Sequence, residues 1–227
     1  MNLASICNKS CCSSYIIDIL HRITTIKKRN QWFWEKYRWF VKGGFMKKIY
    51  IILSQTGTLF STALRFYTKD PYNHASISFD ADLQEMYSFG RRHRYNFLNS
   101  GFVYENFNEG MYKFFPNAKC HVLEVSVTQE KYEAMKEAIH MFCMNKESYH
   151  YNIIGILAYA TGVKLTRKNH FFCSQFVSYI LSEADMWNRH PEFTKPMDFY
   201  SLPNVTLVYE GKIKDFSKST QLPMIIT

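Results

Sequence analysis

Two segments that lie far apart in the chain carry residues suited to nucleophilic chemistry. Cys173 stands at the start of a predicted amphipathic helix, and His74 stands at the start of a predicted alternating strand. A helix N-terminus favours negative charge, so a thiol placed there ionises more easily and becomes a better nucleophile. An imidazole on a rigid strand can take up a proton and return it. The pair therefore predicts a thiol–imidazole site in which the histidine precedes the cysteine.

A third side chain should orient the imidazole and fix its tautomer. The next predicted strand, residues 83–89, offers Glu85, Tyr87 and Ser88 for this role. Glu85 is the first choice, because its alternation partners on the strand are apolar and a carboxylate among apolar groups needs a partner. The register of a hairpin cannot be read from sequence to one residue, so Ser88 and Tyr87 stay open.

Each of these residues also has a purely structural interpretation. Free cysteines are among the most buried residue types, and Cys173 shares a helical stripe with Phe176 that would face a core. His74 alternates with Ser76 on a polar face, where a strand-end histidine could simply be solvated. The first turn of a helix nevertheless favours a functional thiol, because its free backbone N–H groups can also stabilise an oxyanion.

The elements that must position these residues form one α+β domain from Met46 onward. We expect a small antiparallel sheet that bears His74 and Glu85 and packs against the Cys173 helix. Thr128 is the predicted N-cap of a long helix. Predicted strands cover residues 49–53, 74–79, 83–89, 122–127 and 206–209, and predicted helices cover residues 58–68, 128–145, 152–160 and 170–185.

Residues 1–45 differ from the rest and are predicted to be an extension of the domain at 46–227. They hold eight Lys/Arg against two Asp/Glu, which is +6 of the net charge of +9. The remaining +3 does not predict nucleic-acid binding by the domain. A basic segment with three of the four tryptophans suits an anionic membrane surface, with packing against the domain as an equal alternative. Gly43–Lys48 is also typical of a translated leader, so translation could start at Met1 or at Met46.

The remaining patterns argue for a chain without a cofactor. The six cysteines show no CxxC pair, which favours free thiols in a reducing compartment. His140 and Cys143 lie three apart on a helix but lack a second pair, so no metal site is predicted. There is no Gly-rich phosphate loop and no GxSxG motif. Without an evident signal peptide or an apolar run of about 18–20 residues, we expect a cytoplasmic protein.

The order of the site residues resembles one enzyme family. His74 at a strand start, Glu85 on the next strand and Phe171–Val177 at a helix start resemble the circularly permuted papain-like hydrolases. These are NlpC-type enzymes of the YiiX-like group, related to the lecithin:retinol acyltransferase family. The resemblance covers residues 46–210. Further matching pieces are the loop at residues 55–57, the lead-in at residues 72–74 and the proline-containing segment at residues 194–199.

The resemblance implies a role for each residue. Cys173 would be the nucleophile, His74 the general base and then acid, and Glu85 the orienting group. The implied reaction is cleavage of amide or peptide bonds through an acyl-enzyme, with cell-wall peptides as the first substrate class. Acyl transfer or thioester hydrolysis on lipids is the runner-up, because the acyltransferase relatives use the same site. A non-catalytic binding or membrane-surface module is the competing class, and a monomer is expected.

Overall fold

The structure, a computed structural model, describes residues 46–55, 70–92, 99–110 and 112–216. These residues belong to one compact unit, Met46–Thr227. The predicted extension at residues 1–45 and the predicted helix at residues 58–68 lie outside the described residues.

The described strands form one sheet of eight strands in the order β7-β6-β4-β3-β2-β1-β5-β8. Neighbouring strands pair antiparallel, except that β6 and β7 run parallel. The sheet is thus larger than the small antiparallel sheet expected from sequence. The strands are β1 Lys47–Gln55, β2 His74–Ser78, β3 Met86–Arg91, β4 Ser100–Glu105, β5 Lys119–Val127, β6 His150–Tyr151, β7 His170–Phe171 and β8 Val205–Lys212.

Three α-helices lie within the described residues: α1 Gln129–Met144, α2 Ile153–Ala160 and α3 Cys173–Ser182. The Oγ1 atom of Thr128 accepts a hydrogen bond from the N–H of Lys131 at 3.4 Å, which confirms Thr128 as the N-cap of α1. The mixture of sheet and helices confirms an α+β fold. Short 3-10 helices cover Tyr112–Phe114, Lys146–Ser148, Pro191–Phe193, Pro196–Ser201 and Ile213–Asp215.

Both faces of the central strands are buried. Helices α1 and α3 pack on one face, which we call the helix face. Ala75 and Ile77 of β2 point to it, whereas Tyr50 and Ile52 of β1 contribute to a second core on the opposite face. Ser76 therefore lies fully buried on that opposite face. The polar face of β2 that the alternation predicts is real, but it is not exposed to solvent.

The start of β3 differs from the prediction. Its pairing begins at Met86, because the turn after β2 is longer than the sequence suggested. The carboxylate of Asp80 accepts hydrogen bonds from the N–H groups of Asp82 and Gln84, and Leu83 adopts a left-handed φ of 52°. Glu85 is consequently an exposed residue before the strand and not a member of it.

The strand registers gather four strand ends at one end of the sheet, which we call the site end. Ser54 near the end of β1 pairs with His74 at the start of β2. Gly90 near the end of β3 pairs with Gly101 near the start of β4, which in turn pairs with His150 of β6. Antiparallel pairing puts the end of one strand beside the start of the next. Segments distant in sequence therefore converge at the site end.

Candidate active site

Cys173 is the first residue of α3, and its side chain is buried. The N-cap position is occupied by Phe172, which has no side-chain oxygen to satisfy the N–H groups of the first turn. The Oε1 atom of Gln175 instead accepts a hydrogen bond from the N–H of Phe172 at 3.3 Å. This arrangement holds the helix start in place, and the N–H of Ser174 in the first turn acts on the sulfur. An anion at that position gains from the helix dipole as well.

His74, the first residue of β2, joins the cysteine to a carboxylate. Its Nε2 atom lies 2.9 Å from Oε1 and 3.1 Å from Oε2 of Glu105. Its ring also lies close enough to the Cys173 thiol for each group to shift the pKa of the other, and Sγ of Cys173 lies 3.8 Å from the carbonyl oxygen of Asn73, the residue before His74. Because Nε2 is engaged by the carboxylate, Nδ1 is the nitrogen that remains for the sulfur. The structure thus brings His74 and Cys173 together, as the sequence predicts.

The carboxylate that contacts His74 belongs to Glu105, the last residue of β4. The sequence predicts Glu85 for this position. Glu105 is largely buried, with 12% of its side chain exposed. The Oγ atom of Ser76 donates a hydrogen bond to its Oε2 atom at 2.5 Å, which fixes the second oxygen. Glu85 is exposed and forms its hydrogen bond with Tyr87. The choice of Glu85 as the partner of His74 is therefore corrected to Glu105.

The two alternatives to Glu85 have other roles. The Oγ atom of Ser88 donates to the carbonyl oxygen of Ala75 at 2.7 Å and lies 3.4 Å from Nε2 of His74. Its proton is therefore committed to the backbone, and the contact with His74 is long for a hydrogen bond. Tyr87 packs its ring against Phe102 on the helix face. Neither residue competes with Glu105 for the imidazole.

The environment shifts the pKa values of the thiol and the imidazole in opposite directions. Burial raises the pKa of Cys173, but the hydrogen bond and charge of His74, with N–H groups of Ala75 and Ser174, outweigh burial and lower it. Burial lowers the pKa of His74, but the charge and hydrogen bond of Glu105 together with Cys173 raise it well above 6.5. Both shifts favour a thiolate beside an imidazolium.

Tyr151 adds a second polar contact to the sulfur. It is the last residue of β6, it lines the same small cavity as Cys173, and its hydroxyl interacts with the sulfur. Burial, followed by the negative charge of Cys173, raises the pKa of this phenol well above 10, so it remains a neutral donor. Sequence reasoning missed Tyr151, because a two-residue strand leaves no periodic signal.

A buried polar chain continues behind the carboxylate. Tyr112 is almost fully buried on the face opposite the helices, and its hydroxyl lies 2.9 Å from the Oγ atom of Ser54. It also interacts with Ser76, whose own hydroxyl donates a hydrogen bond to Glu105. Tyr112, Ser76, Glu105, His74 and Cys173 thus form one continuous series of contacts. Each buried polar group of the series has a partner, as buried polar groups require.

A small cavity of about 40 Å³ lies beside the sulfur. Apolar side chains such as Tyr72, Ile156 and Phe172 form much of its wall, together with Tyr151. A water molecule needs roughly 10–15 Å³ of such space, so the cavity can take a group the size of a carbonyl and its neighbours. The arrangement therefore combines a thiol of lowered pKa, an imidazole of raised pKa and an adjacent cavity.

The described part of the chain contains no group of three or more His, Cys, Asp or Glu residues placed to hold a metal ion. Cys120, Cys143 and Cys173 are free thiols. No described helix is both long enough and apolar enough to span a membrane.

Comparison of the chain with protein-family models, with curated proteins and with solved structures finds no match. The resemblance to the permuted papain-like hydrolases therefore stays a prediction, and the functional argument rests on the geometry of the site.

Proposed function

We propose that the protein is a cysteine hydrolase that cleaves amide or peptide bonds with a permuted papain-like domain. Cys173 is the nucleophile, His74 is the general base and acid, and Glu105 orients the imidazole. The observation that carries this proposal is the buried Cys173–His74–Glu105 series, in which the pKa of the thiol is lowered and that of the imidazole is raised.

The proposed reaction follows from these positions. The Cys173 thiolate attacks the carbonyl carbon, and the resulting oxyanion is stabilised by N–H groups at the start of α3. The His74 imidazolium gives its proton to the leaving nitrogen, so the C–N bond breaks and an acyl-enzyme remains. Neutral His74 then takes a proton from water, and the hydroxide attacks the thioester. Collapse of this second intermediate releases the carboxylic acid and returns the sulfur as thiolate.

A buried cysteine with only a packing role would not require this environment. Enclosing an imidazole and a carboxylate in a protein interior costs free energy unless the groups are well paired. Side chains with strongly shifted pKa values that also share a cavity are typical of functional sites. The binding-module alternative offers no reason for a thiol to meet an imidazole at a helix N-terminus.

Cell-wall peptides are the substrate class that we propose first. Acyl transfer or thioester hydrolysis on a lipid would begin with the same attack by Cys173, and a fold alone does not decide between these substrates. Residues 1–45 keep their proposed role as a basic, aromatic segment for peripheral membrane contact.

A panel of cysteine-directed probes tests the nucleophile and the substrate class together. We expect peptide-based electrophiles to label Cys173 faster than acyl-lipid electrophiles of matched reactivity. Labelling should disappear in Cys173→Ala and persist in Cys143→Ala, which removes another free thiol. Faster labelling by the lipid probes would favour the runner-up. Labelling of Cys173 no faster than of Cys143 would contradict an activated nucleophile.

A further inference from the structure

We propose that Arg91 binds an anionic group of the substrate, a carboxylate or a phosphate, next to Cys173. This inference rests on the proposed function and adds to it the charge of the substrate. Arg91 is the last residue of β3 and thus stands at the site end of the sheet, with an intermediate degree of exposure.

The backbone of β3 at Gly90, the residue before Arg91, lies against His74 and Glu105. A Cβ atom added to Gly90, the neighbour of Arg91, would lie 3.6 Å from Oε1 of Glu105 and 3.8 Å from Cε1 of His74. Arg91 and Glu105 also line one open groove of about 880 Å³. A substrate that extends from the site into this groove would therefore meet Arg91.

The other cations of the groove already have partners. Nη1 of Arg92 lies 2.9 Å from Oε2 of Glu147, and its Nη2 donates to backbone carbonyls. The Nζ atom of Lys146 lies 5.0 Å from the centre of the Tyr104 ring. The backbone of Arg91 pairs with Ser100 of β4, but within the described residues its guanidinium has neither a hydrogen-bond partner nor an ion-pair partner. An anion that pairs with such a partly desolvated guanidinium stabilises it. The planar guanidinium can donate two parallel hydrogen bonds to a carboxylate or a phosphate.

The positive charge of Arg91 also acts on the hydroxyl of Tyr151, a residue that lines the cavity beside Cys173. Two exposed carboxylates of the same groove, Glu85 and Glu109, form no ion pair with Arg91 in the part of the chain that the structure describes. An anionic group held by Arg91 would thus lie in the groove that Glu105, the partner of His74, also lines.

A simpler role for Arg91 would be to balance the charge of the site. The thiolate, the imidazolium and the Glu105 carboxylate together carry one net negative charge, which a nearby guanidinium would neutralise. In that case, removal of Arg91 changes the reactivity of Cys173 toward all reagents by a similar factor. Recognition of an anion predicts instead a change that depends on the charge of the reagent.

Alkylation with a charged and a neutral reagent separates the two roles without knowledge of the substrate. The measurement compares second-order rate constants of iodoacetate and iodoacetamide at Cys173, read by peptide mass spectrometry at low ionic strength. In Arg91→Gln, we expect the iodoacetate-to-iodoacetamide ratio to fall about fivefold or more, as for loss of a unit charge near the reagent. Arg189→Gln, which changes an exposed arginine beside Asp198, should leave the ratio unchanged.

An unchanged ratio in Arg91→Gln would overturn the anion site, even if both rate constants shift together. Failure of the proposed function is a separate result, in which Cys173 reacts with iodoacetamide no faster than Cys143 does. The ratio remains measurable for a thiol of ordinary reactivity, so the two failures are distinguishable.

Protection experiments identify the anion. Succinate and inorganic phosphate are each tested for slowing the reaction of Cys173 with iodoacetamide. The anion that protects the parent protein and not Arg91→Gln is the chemical class that we infer to be bound. Equal protection of both proteins, or protection by neither anion, would contradict the assignment.

Discussion

At the scale of single residues, the carboxylate on His74 matters most for the proposed chemistry. Glu105 is largely buried, holds the imidazole with both oxygens near Nε2 and is itself fixed by Ser76. Glu85 is exposed and would be screened by solvent even if it were closer. A partner that stabilises an imidazolium inside a protein must be shielded from solvent and close to the ring, and Glu105 meets both conditions.

Replacement of this carboxylate by an amide should impair the site strongly. The charge of Glu105 is the largest cause that raises the pKa of His74. Glu105→Gln removes this charge, so the imidazolium and the thiolate become less favourable. We expect kcat/KM to fall about 100-fold or more, as for other losses of an orienting carboxylate. The upper limb of the pH profile should move to lower pH, because imidazolium is lost earlier as pH rises.

Glu85→Gln provides the matched control for this experiment, since it changes the same side chain at an exposed position. Its kcat/KM and pH profile should equal those of the parent. Equal losses in the two variants would contradict the assignment of Glu105.

At the scale of elements, the sequence revealed the parts with clear periodicity. Helix α1, its cap at Thr128 and the strand that carries His74 all follow from local patterns, and α3 begins at Cys173 close to the expected position. Strand β4 was missed, although its Phe102–Tyr104 run favours a strand. Identification of Glu105 also required the pairing register, which is set by long-range packing and by the turn after β2. No local pattern carries that information.

The contact between β4 and β6 depends on a glycine. A Cβ atom at Gly101 would collide with the carbonyl oxygen of Tyr149, which is backbone and cannot easily yield. We expect Gly101→Ala to lower the free energy of unfolding by about 2 kcal/mol. It should also slow alkylation of Cys173, because β6 carries Tyr151. The measurements are urea unfolding and the iodoacetamide rate.

Gly90→Ala is the control for Gly101→Ala on the neighbouring strand. The added Cβ would have contacts of 3.5 Å or more, which are ordinary packing distances. Its unfolding free energy should match that of the parent. A comparable loss in both variants would show that the collision at Gly101 is not the cause.

The buried polar chain predicts an effect of a tyrosine that cannot touch the substrate. Tyr112→Phe removes the hydroxyl that contacts Ser54 and Ser76, so we expect a loss of about 1–2 kcal/mol of stability. With Glu105 less firmly held through Ser76, kcat should fall severalfold while KM changes little. Tyr209→Phe, which removes a hydroxyl bonded to the Lys212 carbonyl, should leave kcat unchanged. Equal kcat in both variants would contradict a positioning role for Tyr112.

At the scale of the whole molecule, folding transfers one proton from the thiol of Cys173 to the imidazole of His74. In the unfolded chain near pH 7–8, the cysteine keeps its proton and the histidine lacks one, with pKa values of about 8.5 and 6.5. In the folded protein, the lowered pKa of Cys173 and the raised pKa of His74 place one proton on the imidazole. Both states therefore bind one proton, and the pair adds no slope to stability over this range.

Removal of the thiol should make the free energy of unfolding depend on pH, because the thiol and the imidazole no longer exchange a proton on folding. In Cys173→Ala, Glu105 still raises the pKa of His74, so the folded state binds more protons than the unfolded state above about pH 6.5. The free energy of unfolding should then fall by up to about 1.4 kcal/mol per pH unit as pH rises toward the folded pKa. Urea unfolding between pH 6.5 and 8.5 measures this slope. Cys143→Ala should follow the parent, and a Cys173→Ala curve parallel to the parent would contradict the shared proton.

The distance in sequence between the two halves of the site has a consequence for biosynthesis. The Sγ atom of Cys173 lies 3.8 Å from the carbonyl oxygen of Asn73, a residue 100 positions earlier in the chain. Synthesis proceeds from the N-terminus, so the strand that carries His74 is made well before α3. Until α3 docks on the sheet, the cysteine has neither its imidazole nor its buried carboxylate. The nascent chain thus carries an ordinary thiol, and the environment on which the proposed hydrolysis depends forms only when folding is complete.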